Sequence, residues 1–206
     1  MCSFLRQLYE EKMSRTGKVK RETRETNVEV TLNIDGKGKF DINTGVGFFN
    51  HMLETFAKHS GFDIVLDASG DINVDYHHLV EDCGISLGKT FKEALGDKKG
   101  IKRFGYATIP LDEALVEVAI DISGRPFYKS NFLDFPGGAG GFDIELADVF
   151  FSGFASTGYT LHIVILRGEN KHHIMEAAFK SFAKALKMAV QIESDVLPST
   201  KDYIES

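Results

Sequence analysis

The sequence predicts an α+β fold built from two similar β-β-α-β-α halves that pack together as an α/β sandwich. Three observations predict it. Strand-like alternation and helix-like spacing follow one another in the same order across residues 18–97 and again across 98–206. The pentapeptide His-His-x-x-Glu occurs once in each half, as His77-His78-Leu79-Val80-Glu81 and as His172-His173-Ile174-Met175-Glu176. Each copy enters a segment with helical periodicity, so strands with helices on one face account for the whole pattern. Residues 1–17 precede the repeat, show no periodicity beyond a short amphipathic stretch, and read as a loosely attached extension.

In the first half, Val28, Val30, Leu32 and Ile34 alternate with Glu29, Thr31 and Asn33, the pattern of a half-buried strand. The turn Asp35-Gly36-Lys37-Gly38 is expected to fold the chain back into Phe40 and Ile42 as a hairpin. Phe48, Phe49, Met52, Leu53, Phe56 and Ala57 recur at helical spacing, and Gly61 supplies the stop. Phe62, Ile64 and Leu66 form another strand, with Ile72 and Val74 a short one after Gly70. The first His-His helix then runs towards Gly96.

The second half repeats the plan. Phe104, Tyr106 and Thr108 precede a strand with Ala114, Val116, Val118, Ile120 and Ile122 on one face. A helix carries Ala147, Phe150, Phe151 and Phe154, and a strand carries Leu161, Ile163 and Ile165. The second His-His helix buries Met175, Ala178, Phe179, Phe182, Leu186 and Val190 as its apolar stripe. The segment Pro136-Gly137-Gly138-Ala139-Gly140-Gly141 reads as a flexible surface loop without a phosphate-binding fingerprint. Gly45-Val46-Gly47 lacks the strand-to-helix context of a nucleotide site.

Composition narrows the function classes. With 206 residues, 43% of them hydrophobic, the chain can bury a full core. A net charge of −6 argues against a nucleic-acid backbone as partner. No apolar run approaches the roughly 20 residues that span a bilayer. The charged start lacks the apolar stretch of a signal peptide. Two cysteines, Cys2 and Cys83, make no disulfide framework, and Cys83 reads as a small core residue although it follows Glu81 closely. A soluble, cytoplasmic protein is expected.

The repeated pentapeptide carries the chemistry. On a helix, positions i and i+4 lie one above the other, so the first His and the Glu face the same way, while the middle His is turned aside. One His-His pair at a helix start is ordinarily a solvated cap region. Two copies with the same spacing and context instead describe two halves of a two-metal site. Imidazole and carboxylate together suit divalent ions such as Mn, Fe, Co, Ni or Zn. Lys180, on the line of His172 and Glu176, forms either a surface ion pair or a cation for an anionic substrate group one turn beyond the metal. Of the other histidines, His59 reads as a helix C-terminal residue. His162 lies in an apolar strand, where a core histidine is one alternative. Adding His51 and His162 to the two pairs gives enough donors for two sites of three His and one Glu.

Several segments together resemble imidazoleglycerol-phosphate dehydratase in its monofunctional form. They are Asn50-His51-Met52-Leu53, Val74-Asp75-Tyr76-His77-His78-Leu79-Val80-Glu81-Asp82 and Asp121-Ile122-Ser123-Gly124-Arg125-Pro126. Leu161-His162, Asn170-Lys171-His172-His173-Ile174-Met175-Glu176-Ala177 and Leu197-Pro198-Ser199-Thr200-Lys201 belong to the same set, and the resemblance covers residues 19–201. It implies a duplicated fold of the ribosomal protein S5 domain 2-like kind, assembled into a large shell of about 24 subunits with active sites at subunit contacts. The implied reaction is the dehydration of imidazole-glycerol phosphate to imidazole-acetol phosphate in histidine biosynthesis. Two Mn ions per active site are implied, each held by three His and one Glu, with His51, His77, His78, Glu81, His162, His172, His173 and Glu176 as ligands. Glu25, in Arg21-Glu22-Thr23-Arg24-Glu25-Thr26, is the implied acid/base, and Arg103, Arg125, Lys180, Ser199 and Lys201 the implied substrate-binding groups. The chain departs from the family pattern at Thr55, where many members have Gln, and at Asp202, where Gly usually follows the lysine.

Helical geometry makes His77 and Glu81 partners at one ion and His172 and Glu176 partners at the other. The middle histidines are then expected to cross over, His173 to the first ion and His78 to the second, with His162 completing the first and His51 the second. Two rivals remain at this level: a dinuclear metallohydrolase, for which Asp82 is the one nearby bridging carboxylate, and a metal-storage shell without catalysis.

Overall fold

The structure, a computed structural model, describes residues 14–200 and 203–204; the segment 1–13 with Cys2, and Lys201 and Asp202, lie outside the described residues. The alternating segment forms β2 (Thr26–Asn33), with Val28, Val30 and Leu32 fully buried. Both edges of β2 are used: β1 (Thr16–Glu22) pairs antiparallel on one side and β4 (Asp63–Gly70) on the other. Strand β3 (Phe40–Asn43) lies beyond β4 and runs parallel to it, giving the order β1-β2-β4-β3. The hairpin is therefore β1–β2, not the expected return of β2 into Phe40 and Ile42. The reason lies in the loop. Asp63 Oδ1 accepts from the backbone N–H groups of Lys37 and Lys39, both at 2.8 Å, and the Gly61 carbonyl accepts from Gly38 N–H, drawing the loop across to the start of β4.

The second sheet has the matching order β5-β6-β10-β7, from β5 (Phe104–Leu111), β6 (Ala114–Asp121), β10 (Thr160–Arg167) and β7 (Phe127–Lys129), with β7 parallel to β10. Each four-stranded sheet thus includes a strand that was not expected, β1 in the first and β7 in the second. Residues 14–17 are tied in rather than loose. Arg15 pairs with Asp35 at 2.6 Å and donates to the Val190 carbonyl at 2.8 Å. Two smaller expectations also fail. Ile72 and Val74 lie in a turn closed by Val74 N–H to the Asp71 carbonyl, not in a strand. The glycine-rich segment forms a small hairpin of β8 (Gly138–Ala139) and β9 (Phe142–Asp143), turned by Gly140 and Gly141 at positive φ.

Among the described residues, four α-helices pack against the inner faces of the sheets: α1 (Gly47–Ser60), α2 (His77–Leu95), α3 (Ile144–Ala155) and α4 (Lys171–Ala189). Gly61, in the left-handed region at φ 79°, ends α1 as its sequence position predicts. The halves interlock through these helices, because α2 packs on α3 and α4 packs on α1. A Cβ at Gly84 of α2 would fall on the Phe150 carbonyl of α3, so only glycine permits that approach. Phe91 meets Phe154 across the α2–α3 contact at 5.8 Å, and Phe56 stacks on Phe182 across the α1–α4 contact at 5.3 Å. Cys83 is buried on α2, and burial pushes its thiol pKa well up. No helix among the described residues is long and apolar enough to cross a membrane.

Because Phe182 is wholly buried where the two halves meet, Phe182→Ala is expected to cost about 3–5 kcal/mol of stability. Urea denaturation measures this, and a loss below about 1 kcal/mol would contradict the packing described.

Candidate active site

The start of α4 assembles the first cluster. Asn170 caps the helix by accepting the His172 N–H at 2.9 Å, which fixes the turn from which His172 projects. One turn later Glu176 brings Oε2 within 3.0 Å of His172 Nε2, as the i,i+4 geometry requires. His51, from α1 of the other half, places its Nε2 3.5 Å from the same oxygen. The three ligand atoms all lie within 4.8 Å of one another. Phe48 sets its ring against the His172 ring in a T-shaped contact at 5.2 Å. Lys180 pairs with Glu176 Oε1 at 2.7 Å, each side chain 16% exposed, so this is a half-buried pair rather than a solvated one. Burial opposes ionisation of Glu176, but the hydrogen bonds from Lys180 and His172 outweigh it and lower its pKa. Two imidazoles and an ionised carboxylate converging on one point are a fitting donor set for a divalent ion of the Mn-to-Zn group.

The first pentapeptide forms no such trio among the described residues. When α1 and α3 are aligned on their closing hydrogen bonds, Gly61 to Ala57 and Tyr159 to Ala155, Val149 takes the place of His51. His77 and Glu81 therefore face outward without a third donor among the described residues.

The second histidine of each pair is turned aside, as expected. His78 Nδ1 lies 3.0 Å from Asp71 and 3.7 Å from Glu25, and His173 Nδ1 lies 2.7 Å from Glu113. The hydrogen bond to Asp71 raises the His78 pKa, and the one to Glu113 raises that of His173. In return His173 holds the Glu113 carboxyl at about 2. His162 is not a core histidine. It projects from the outer face of β10, alternating with buried Leu161 and Ile163, with its ring 5.4 Å from Phe127. It joins no cluster of potential ligands among the described residues. His59 sits in the last turn of α1, where burial and the charges of Lys180 and Lys184 lower its pKa.

Glu25 lies in the β1–β2 turn, and the surrounding motif holds it there. Thr23 Oγ1 accepts from the N–H groups of Glu25 and Thr26 at 3.1 and 3.0 Å. The buried carboxylate of Asp82, on α2, accepts from Arg21 Nε at 2.7 Å and from the Thr26 hydroxyl. The turn carrying Glu25 is thereby fastened to the helix carrying His77 and His78. Asp82 is spent on this fastening, so it is no bridging ligand.

A cavity of about 340 Å³ is lined by Arg103, Ser123, Arg125, Ser199, Thr200 and Tyr203. Arg103, at φ +71°, is held by two bonds to Asp121 at 2.7 and 3.1 Å and one to the Pro198 carbonyl at 2.9 Å. Ser123 was not singled out from the sequence, although it stands inside the Asp121–Pro126 motif. Two arginines and four hydroxyl residues suit a phosphate. The Arg103 N–H donates to the carbonyl of Ala189, the last residue of α4, whereas His172 begins that helix. The cavity and the His51/His172/Glu176 trio therefore stand roughly 25 Å apart along α4 of one chain. Thr55 is buried on α1, and Lys201 lies outside the described residues.

The family pattern of imidazoleglycerol-phosphate dehydratase matches residues 44–186. The dehydratase of Thermoanaerobacter pseudethanolicus is 53% identical over 92% of this chain and 100% of its own length. That of Desulfosudis oleivorans is 50% identical over 89% of this chain and 95% of its own. Among solved structures, the enzyme from Staphylococcus aureus superposes with a TM-score of 0.75 at 38% identity, over 86% of this chain and 99% of that one. The enzyme from Pyrococcus furiosus does so with a TM-score of 0.79 at 38% identity, over 90% and 100%. Sequence and backbone agree along nearly the full length of these relatives, and on that ground the chain belongs to the imidazoleglycerol-phosphate dehydratase family.

Proposed function

We propose that the chain is a hydro-lyase that converts imidazole-glycerol phosphate to imidazole-acetol phosphate and water in histidine biosynthesis, working in the cytoplasm. The observation that carries this is the convergence of His51, His172 and Glu176 beside Lys180 in a chain of this family. Two Mn ions per active site are the proposed cofactors, and when bound they supply Lewis-acid polarisation of the substrate's imidazole ring. His172, Glu176, His51 and His78 would hold the second ion, and His77, Glu81, His173 and His162 the first. Only three of these eight side chains meet within one chain, which supports sites composed from more than one copy. His162 reaches such a site only across a contact between copies. The exposed Phe104, Tyr106, Phe127 and Leu166 on the second sheet offer apolar area for self-association, into a shell of about 24 subunits.

Around the substrate, Arg103, Arg125, Ser199 and Lys201 hold the phosphate, and Lys180 stands beside the metal as a further cation. Glu25 exchanges the proton at the glycerol carbons: the hydroxyl and the proton of the neighbouring C–H leave together as water, and the resulting enol rearranges to the ketone. The metallohydrolase alternative loses its bridging carboxylate, since Asp82 is buried against Arg21 and Thr26. An assay of purified protein with imidazole-glycerol phosphate and Mn decides between them. Ketone product without inorganic phosphate is expected, and phosphate release without ketone would refute the dehydratase.

Glu25→Gln is expected to keep its metal, measured by mass spectrometry, while losing about 10²–10⁴-fold in turnover. Activity within a factor of a few of the parent would remove Glu25 from the mechanism.

The shifted histidines predict opposite pH trends for the metal-free and the metal-loaded protein. The folded-state pKa values of His78 and His173 lie above 6.5. Their contribution to stability is complete below 6.5 and is lost as pH rises through the raised values. Metal binding needs the neutral imidazoles, so stabilisation by Mn grows over the same range. Thermal denaturation with chelator and with Mn, between about pH 6 and about pH 8, tests both trends. An Mn increment that stays constant with pH would contradict this.

A further inference from the structure

The hairpins that open the two sheets carry a glutamate at the same place. Glu25 immediately precedes Thr26 at the start of β2, and Glu113 immediately precedes Ala114 at the start of β6. The pairings Arg21 with Val28 and Ile109 with Val116 give the two turns the same length, so Glu113 is the counterpart of Glu25. Each faces the second histidine of its half's His-His pair, but the contacts differ. Glu25 stays 3.7 Å from His78 Nδ1, beyond a hydrogen bond, because Asp71 takes that nitrogen at 3.0 Å. The other Asp71 oxygen is buried without a partner among the described residues, so His78 is the side chain on which this carboxylate acts. In the second half Glu113 itself takes His173 Nδ1, at 2.7 Å. Its other oxygen accepts from the backbone N–H groups of Asn170 and Glu169, at 2.8 and 3.3 Å, at the entry to α4. Asp112 comes no closer than 3.9 Å to His173 Nε2.

We propose that Glu113 is a positioning residue of the metal centre: anchored by the backbone at Glu169–Asn170, it accepts the Nδ1–H of His173 and leaves the Nε2 lone pair for a divalent ion. An imidazole whose Nδ1 proton is held by a carboxylate has its tautomer and ring orientation fixed, and its other nitrogen becomes the better ligand. Asp71 serves His78 in the same way, and that substitution of roles releases Glu25, the equivalent of Glu113, for proton transfer. The duplicated turn thus supplies two glutamates with different duties, decided by whether another carboxylate has taken the histidine. This inference rests on His173 being a metal ligand, as argued above.

Calorimetric titration of the full-length, chelator-stripped protein with Mn(II) alone tests it. Glu113→Ala is expected to weaken Mn binding about 10- to 100-fold, and Glu113→Gln less, because the amide carbonyl still accepts from Nδ1–H. Adding Glu113→Ala to His173→Ala should weaken binding no further than His173→Ala alone, since the glutamate acts through that ring. Circular dichroism checks the fold of each variant, and Glu113→Gln, which keeps its acceptor toward His173, stands in if Glu113→Ala does not fold. Mn binding by the folded Glu113 variants equal to the parent, with His173→Ala impaired, would overturn the positioning role while leaving the two-ion site standing. Additive losses in the double variant would overturn it as well. If His173→Ala itself leaves Mn binding unchanged, His173 is no ligand and the role of Glu113 falls with it.

Discussion

Two consecutive residues on an α-helix point about 100° apart, and the organisation of this protein follows from that constraint. A His-His-x-x-Glu helix can aim its first histidine and its glutamate at one point, but never its second histidine. On α4 the aligned pair is His172 and Glu176, which His51 joins from α1. The turned histidines need support of their own, and they find it in Asp71 and Glu113. Donors so divided do not close around two ions within one chain, and the proposed site is accordingly one composed from several copies. The cavity proposed for the phosphate obeys the same logic, since it sits at the far end of α4 from His172.

The duplication positions the donor trio through interlock rather than through simple repetition. Helix α1 belongs to the first half and α4 to the second, yet they pack on each other and bring His51 to His172. In the corresponding contact, α2 on α3, Val149 stands where a donor would be needed. One packing plan therefore yields one complete trio and one open edge. Beneath the trio, Phe56 on Phe182 and Phe48 against His172 hold the two helices in register, so the geometry of the donors rests on aromatic packing between the halves.

Much of this was legible in the sequence because it depends on local periodicity. The apolar alternation of β2, the Gly61 stop and the two pentapeptides each announce themselves in consecutive residues. What escaped depends on distant partners. Strand β1 reads Thr16-Gly17-Lys18-Val19-Lys20-Arg21-Glu22; charge suits an edge strand and hides its pairing from an apolar pattern. The turn after β2 looks like a hairpin, but Asp63, far along the chain, redirects it. His162 occupies a strand whose inner positions are apolar, and only the sheet's orientation shows that its face is the exposed one. Glu113 carries no motif at all; the sole signal is its equivalence to Glu25, which needs the strand registers to become visible.

The central claim is that one active site draws on more than one chain, and complementation measures it directly. His172→Ala breaks the α4 set of donors and His78→Ala breaks the α2 set, so each variant alone should be inactive. In particles co-assembled at equal ratio, a site that takes its α4 set from the His78→Ala chain and its α2 set from the His172→Ala chain is intact. Random assembly then restores about a quarter of the parental activity. A mixed particle shown to contain both variants, yet as inactive as either alone, would mean that all donors come from a single chain and would contradict the account.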